Sequence, residues 1–253
     1  MVKIGSSDLD VARLCLGGNV FGWTADRDTS FAVLDAYVAA GGNFVDTADS
    51  YFWRAPGNSG GESEAIIGEW MASRGNRDSV VIATKVGSWP QRKGLSAKNI
   101  AEAVDDSLRR LRTDYIDLYY AHRDDPDVAQ EETADAFDAL VEAGKVRALG
   151  ASNFTAERLR SALEISARDG LASYVAVQPH YNLVEREEYE NELAPLVASE
   201  GLACMPYYAL AKGFLTGKYR PDTQVESVRS EGALEYLDGR GRAVLAVLDE
   251  VAA

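Results

Sequence analysis

Residues 80–85 read Val80, Val81, Ile82, Ala83, Thr84, Lys85. The run is short, rich in β-branched residues and free of polar alternation, as a strand covered on both faces reads. It ends on a lysine. The same pattern recurs at residues 14–17, 44–47, 116–120, 146–150, 174–178 and 202–206, each bounded by turn residues. Between these runs lie stretches of helical period. Ile100, Val104, Leu108 and Leu111 share one face, with Glu102, Asp105, Arg109 and Arg112 among the polar positions. Phe137 goes with Leu140 and Val141, and Leu159 with Ala162 and Leu163. Strand–helix alternation repeated this often implies a parallel sheet.

A doubly wound dinucleotide-binding sheet would carry Gly-x-Gly-x-x-Gly where its first strand opens into a helix. Here the first strand runs into GGNVFGW (17–23), and no phosphate-loop signature occurs. The expectation is therefore an α/β fold, a (β/α)8 TIM barrel with its active groups on the loops at the C-terminal strand ends. Only seven strand–helix periods are found. After Pro206 come a loop and a last helical stretch at 242–253, with no eighth strand. Seven strands leave two unpaired edges. We expect one domain over residues 1–253, C-terminally incomplete, either cut short of its eighth strand and helix or covered there by something else.

Composition narrows the function classes. The chain has 253 residues, 46% of them hydrophobic, and a net charge of -14. That balance argues against nucleic acid and anionic membranes, which need a basic face. No stretch approaches the ~18 apolar residues of a membrane span, and MVKIGSSDLD lacks the apolar region of a secretory signal. A cytoplasmic protein is expected. Cys15 and Cys204 sit in apolar segments and read as reduced thiols; they are too few for a disulfide framework or a cysteine metal site, and no metal is expected.

The polar residues at the strand ends carry the chemistry. Asp46 closes the second strand with Tyr51 on its loop, Lys85 closes the third, and His122 the fourth. Reducing a carbonyl needs a hydride on carbon and a proton on the developing alkoxide. A tyrosine can give that proton, and a nearby ammonium is expected to lower its pKa from ~10. Asp46 would hold Lys85, and His122 would hydrogen-bond the carbonyl oxygen. Taken singly, each has a plainer reading: Asp46 and Lys85 as a core ion pair, Tyr51 as a loop aromatic, His122 as a structural histidine. Trp23, Trp53 and Trp89, with Phe21, fall on loops after the first three strands and either wall a substrate pocket or pack the loops. His180 has no obvious partner and reads as structural.

The sequence resembles the aldo-keto reductase family. GGNFVDTADSY (41–51) with GESEAIIG (61–68) resembles its first signature, VVIATKVG (80–87) its lysine strand, and SLRRLRTDYIDLYYAHRDDPD (107–127) its histidine segment. GKVRALGASNF (144–154), VAVQPHYNL (175–183) and PYYALAKGFLTGKY (206–219) continue the likeness in order. It is greatest to the bacterial branch that also resembles potassium-channel β-subunits. The resemblance implies a catalytic tetrad of Asp46, Tyr51, Lys85 and His122 with Tyr51 as general acid. It implies that Ser152, Asn153 and Gln178 bind the nicotinamide carboxamide, that Tyr207 stacks on its ring, and that Leu210, Lys212 and Gly213 cover the pyrophosphate. Ser152 and Asn153 have an alternative as a helix cap before TAERLRSAL (155–163), Gln178 and Tyr207 as ordinary packing, and Lys212 as a solvated cation.

NADP(H) is the family's usual cofactor; the segment that grips its 2′-phosphate is absent, so NAD(H) stays open. Tyr208 stands where a serine is common, which puts the pyrophosphate contacts in doubt. The expected function is reduction of an aldehyde or ketone, a small-molecule carbonyl substrate, to an alcohol. The alternative is a cofactor-binding regulatory or interaction protein on the same scaffold with little turnover. A glycosidase, a Schiff-base aldolase and a metal-dependent hydrolase fit less well: the fourth and seventh strands end in His122 and Tyr207, Asp46 would keep Lys85 protonated, and the chain has two histidines.

Overall fold

Two short strands, β1 (Val2–Lys3) and β2 (Asp10–Val11), pair antiparallel at the start of the chain. The computed structural model, which describes residues 1–252, then alternates strand and helix. β3 (Leu16–Gly17), α1 (Arg27–Ala39), β4 (Phe44–Asp46), α2 (Glu62–Arg74) and β5 (Val81–Val86) come first. A second hairpin, β6 (Ser88–Trp89) and β7 (Arg92–Lys93), precedes α3 (Ala97–Leu111). β8 (Ile116–Ala121), α4 (Gln130–Glu142), β9 (Val146–Ser152), α5 (Ala156–Asp169) and β10 (Tyr174–Gln178) follow. Then come α6 (Ala194–Ser199), β11 (Ala203–Cys204), α7 (Ser230–Leu234) and α8 (Gly239–Ala252).

The seven sheet strands lie in the order β3-β4-β5-β8-β9-β10-β11, every pair parallel and every neighbour the next sheet strand along the chain. A sheet wound in one direction this way is a (β/α) barrel without its last unit. The expected strand count and fold therefore hold. The runs expected at 14–17 and 202–206 shrink to two-residue strands at the two edges.

Each central strand feeds two cores. Val45, Ile82, Tyr119, Leu149 and Val177 face outward and pack with Trp70, Leu108 and Phe137 of the helices. Val81, Ala83, Leu118, Tyr120, Ala148 and Ala176 face inward and pack with Ile4, Leu9 and Val11 of the first hairpin. Every residue of β5 and β8 is buried, which is why neither shows polar alternation. Gly150 is required by this inner core: a Cβ there would meet the Tyr120 ring. α3 buries Ile100, Val104, Leu108 and Leu111 as the spacing predicts, and Ser96 caps it by accepting from the Asn99 amide at 3.3 Å. Cys15 and Cys204 are free and half-buried. No helix among the described residues is long and apolar enough to cross a membrane.

Candidate active site

Strand alternation decides which side chains meet. Inward positions on β4 are Phe44 and Asp46, on β5 Val81, Ala83 and Lys85, and on β8 Leu118 and Tyr120, with His122 next in phase. Apolar residues fill the lower layers, and the last inward layer is polar.

The Lys85 ammonium is 1% exposed and spends all three of its protons. It donates to Asp46 Oδ2 at 2.6 Å, to the Thr47 carbonyl at 2.7 Å and to the Tyr51 hydroxyl at 2.6 Å. Tyr51 in turn donates to Asp46 Oδ2 at 2.9 Å, and Gln178 donates from Nε2 to Asp46 Oδ1 at 2.9 Å. Both carboxylate oxygens are thus satisfied, which lets a buried ion pair persist. The Tyr51 and His122 rings meet edge to face, centroids 6.1 Å apart. Sequence reasoning expected Lys85 to lower the Tyr51 pKa. The opposite holds: burial, with the Asp46 charge second, pushes the phenol well above its ordinary value. In the resting protein Tyr51 is therefore a neutral acid that retains its proton. Burial, with Lys85 and then Arg123, pushes His122 well below its ordinary value, so its ring is neutral. Ser50 Oγ lies 3.4 Å from Nδ1. With Ser50 donating there, the ring proton sits on Nε2 and that edge can donate to an oxygen.

A second polar chain adjoins this one. Ser152 Oγ donates to the Gln178 carbonyl at 2.8 Å, and Asn153 Nδ2 donates to the His122 carbonyl at 2.9 Å. Tyr207 donates from its hydroxyl to Asn153 Oδ1 at 2.9 Å. The helix cap is Thr155, whose side chain accepts from the Arg158 amide, so neither Ser152 nor Asn153 is spent on capping. His180, expected to be structural, lies parallel to the Tyr207 ring at 5.2 Å and covers one of its faces. Asn153, Gln178, His180 and Tyr207 line one open cleft.

The other expected residues separate. Trp23 stacks on Phe52 at 3.5 Å and shares a second cleft with Tyr208, Lys212 and Arg229. Lys212 is not a free solvated cation: its ammonium pairs with Glu235 at 2.7 Å. It and Gly213 take left-handed φ values of 56° and 100°, while Leu210 is exposed. Trp53 lies beside the Arg54 guanidinium, and Trp89, in β6, packs against the loop before α2 by donating to the Ser59 carbonyl at 3.0 Å. Neither joins Trp23. Sequence reasoning missed Phe52 and Arg229. Arg229 lies 5.8 Å over the Trp23 ring, with Nη2 buried and lacking a hydrogen-bond partner. It stands in an irregular segment with no periodicity to mark it.

Asp46, Tyr51 and His122, at the ends of adjacent parallel strands around the buried Lys85 ammonium, are the feature to compare with known proteins. The sequence profile described as "Aldo/keto reductase family" matches residues 13–252. The chain belongs to the aldo/keto reductase family. The chain is 38% identical over 242 residues to norsolorinic acid reductase stcV of Emericella nidulans, an alignment covering 89% of this chain and 60% of that protein. It is 37% identical to a probable voltage-gated potassium channel subunit beta of Oryza sativa, covering 86% and 66%. It is also 37% identical to aldo-keto reductase YhdN of Bacillus subtilis, covering 85% and 62%. The chain thus spans between 60% and 66% of the length of these three relatives.

Proposed function

We propose that this aldo/keto reductase uses NADP(H) to reduce aldehydes or ketones to alcohols, with Tyr51 as the general acid and residues 1–253 acting as one barrel domain. The observation that carries the reading is the 2.6 Å contact from the Lys85 ammonium to a phenol that keeps its own proton. The names of the fungal and Bacillus relatives, a reductase and an aldo-keto reductase, support it. The side chains present fit a nicotinamide dinucleotide. The Tyr207 ring, stacked with His180, lines the open cleft, and an aromatic ring there suits a planar nicotinamide. Ser152, Asn153 and Gln178 bring amide and hydroxyl groups beside it, and the orphaned Arg229 Nη2 offers positive charge for phosphate, which Lys212 would join by giving up Glu235. When bound, the cofactor supplies the hydride.

The chain's own residues handle the proton. His122 orients the carbonyl by donating to its oxygen. Tyr51 turns its hydroxyl from Asp46 toward that oxygen and gives up the proton as negative charge develops there. Lys85, already 2.6 Å away, stabilises the phenolate left behind, and Asp46 with Thr47 holds the ammonium in place. The proton is given only when an alkoxide forms, because burial keeps it on Tyr51 until then.

A regulatory, cofactor-sensing role is the second reading, favoured by the likeness to a channel subunit. Both are tested by following NADPH oxidation with a panel of aldehydes alongside quenching of nicotinamide fluorescence. Turnover together with binding is expected; tight binding with no turnover on any carbonyl would favour the second reading. In the same titration Arg229→Ala is expected to raise the NADPH Kd about 10- to 100-fold, the loss of roughly 1.5–3 kcal/mol from one charge-assisted hydrogen bond. An unchanged Kd would remove Arg229 from the binding site.

A further inference from the structure

The inward phase of the last two sheet strands does not stop where the strands end. On β10 it runs through Ala176 and Gln178 and next reaches His180; on β11 it runs through Ala203 and Met205 to Tyr207. The parallel register pairs Val177 with Cys204, so three residues further on His180 falls opposite Tyr207, and an isolated bridge joins them there. The Met205 amide donates to the Val177 carbonyl at 2.9 Å and the Tyr207 amide to the Pro179 carbonyl at 3.0 Å, which carries the ladder past Gln178. The two side chains are therefore cross-strand neighbours. Their rings lie parallel, with 8° between planes and centroids 5.2 Å apart. Tyr208 stands edge-on to both, 5.2 Å from Tyr207 and 5.7 Å from His180, with its own side chain exposed.

The tip and the plane of the Tyr207 ring are held by different partners. The hydroxyl donates to Asn153 Oδ1 at 2.9 Å, and Asn153 in turn donates from Nδ2 to the His122 carbonyl at 2.9 Å. That bond fixes the phenol oxygen and leaves the ring free to rotate about its long axis. The parallel imidazole opposes that rotation. It does so with its face and not with its nitrogens, because Nε2 is buried and has no hydrogen-bond partner. A buried ring nitrogen left unpaired is a cost, so hydrogen bonding at Nε2 does not account for a histidine here. The flat ring does. We propose that His180 is a positioning residue for the cofactor: it sets the plane of Tyr207, the ring assigned above to the nicotinamide, and through Tyr207 and Asn153 keeps that plane in register with His122.

The role in binding rests on the reading of Tyr207 as the nicotinamide platform; the packing of the two rings does not. On the full chain carrying His180→Leu, His180→Phe or Tyr207→Ala, Kd is measured for NADPH and for adenosine 2′,5′-bisphosphate, which keeps the phosphorylated adenosine and lacks the nicotinamide. His180→Leu is expected to raise the NADPH Kd about 3- to 10-fold, the range of one aromatic pair, and to leave the bisphosphate Kd within about twofold. His180→Phe restores a flat ring and gives up no hydrogen bond at Nε2. It is expected to return the NADPH Kd to within about twofold of wild type. An NADPH Kd unchanged in His180→Leu, where Tyr207→Ala raises it, overturns the proposal. So does a loss shared equally by the two ligands, which a merely structural histidine would give, and so does a Phe variant that binds no better than the Leu variant. The cofactor-free protein supplies a second arm. With ¹³C in its tyrosine rings, the Tyr207 signals are assigned by their absence in Tyr207→Ala. They are expected to be displaced by the ring current of residue 180 in wild type and His180→Phe, and to move back toward the free-tyrosine position in His180→Leu. If they do not move, the proposal is overturned whatever the protein binds. If they move while Tyr207→Ala leaves the NADPH Kd unchanged, the cofactor reading of Tyr207 is what fails, and the binding role of His180 falls with it.

Discussion

Tyr51→Phe is expected to lower kcat for carbonyl reduction by ~10²–10⁴, the usual contribution of a positioned general acid, while the NADPH Kd stays within about twofold. The substitution removes one oxygen and little else. The ring keeps its edge-to-face contact with His122, and Lys85 keeps Asp46 and the Thr47 carbonyl as acceptors. What is lost is the proton donor. The test is a single-turnover rate beside a fluorescence titration, so that chemistry and binding are read separately. An unchanged rate would remove Tyr51 from the mechanism. The pH dependence gives a second reading of the same residue. Its pKa is raised by burial, so the protonated, competent form persists across the neutral range. Any loss of rate beginning near pH 8 therefore belongs to another group.

Much of this site is written in the sequence because strand phase and residue chemistry agree. Asp46 and Lys85 each follow inward apolar residues at spacing two, so a reader who places the strands also places the pair. The (β/α) order was legible for the same reason: β5 and β8 are buried on both faces and read as unbroken apolar runs. Three things were not legible. The two hairpins have two-residue strands, too short to show a period. The rise in the Tyr51 pKa depends on how completely the fold surrounds the phenol, and a list of neighbouring residue types overstates Lys85 and ignores burial. Trp23, Trp53 and Trp89 look equivalent as loop aromatics, yet only Trp23 finds a stacking partner, Phe52, beside the Lys212 and Arg229 cleft. Loop residues are placed by contacts distant in sequence, and nothing local records them.

Lys85→Met is expected to abolish turnover and also to destabilise the fold, and the second effect is repairable without the first. Methionine matches the lysine stem in length and suits a site that is 1% exposed, so packing changes little. The charge balance changes completely. Asp46 keeps hydrogen bonds from Tyr51 and Gln178 but loses its cation. Breaking a buried pair by removing one partner typically costs about 3–5 kcal/mol, because the remaining charge is left uncompensated. Adding Asp46→Asn to Lys85→Met removes that charge, and most of the lost stability should return. Turnover should not, since no ammonium remains to stabilise the phenolate of Tyr51. Urea unfolding of both single variants and the double variant gives the stability arm as a double-mutant cycle, and NADPH oxidation gives the other. A double variant no more stable than Lys85→Met would mean that the ion pair is not what holds Asp46 in the core. Recovery of turnover would mean that the ammonium next to Tyr51 is dispensable, and the proposed proton donor would lose its physical basis.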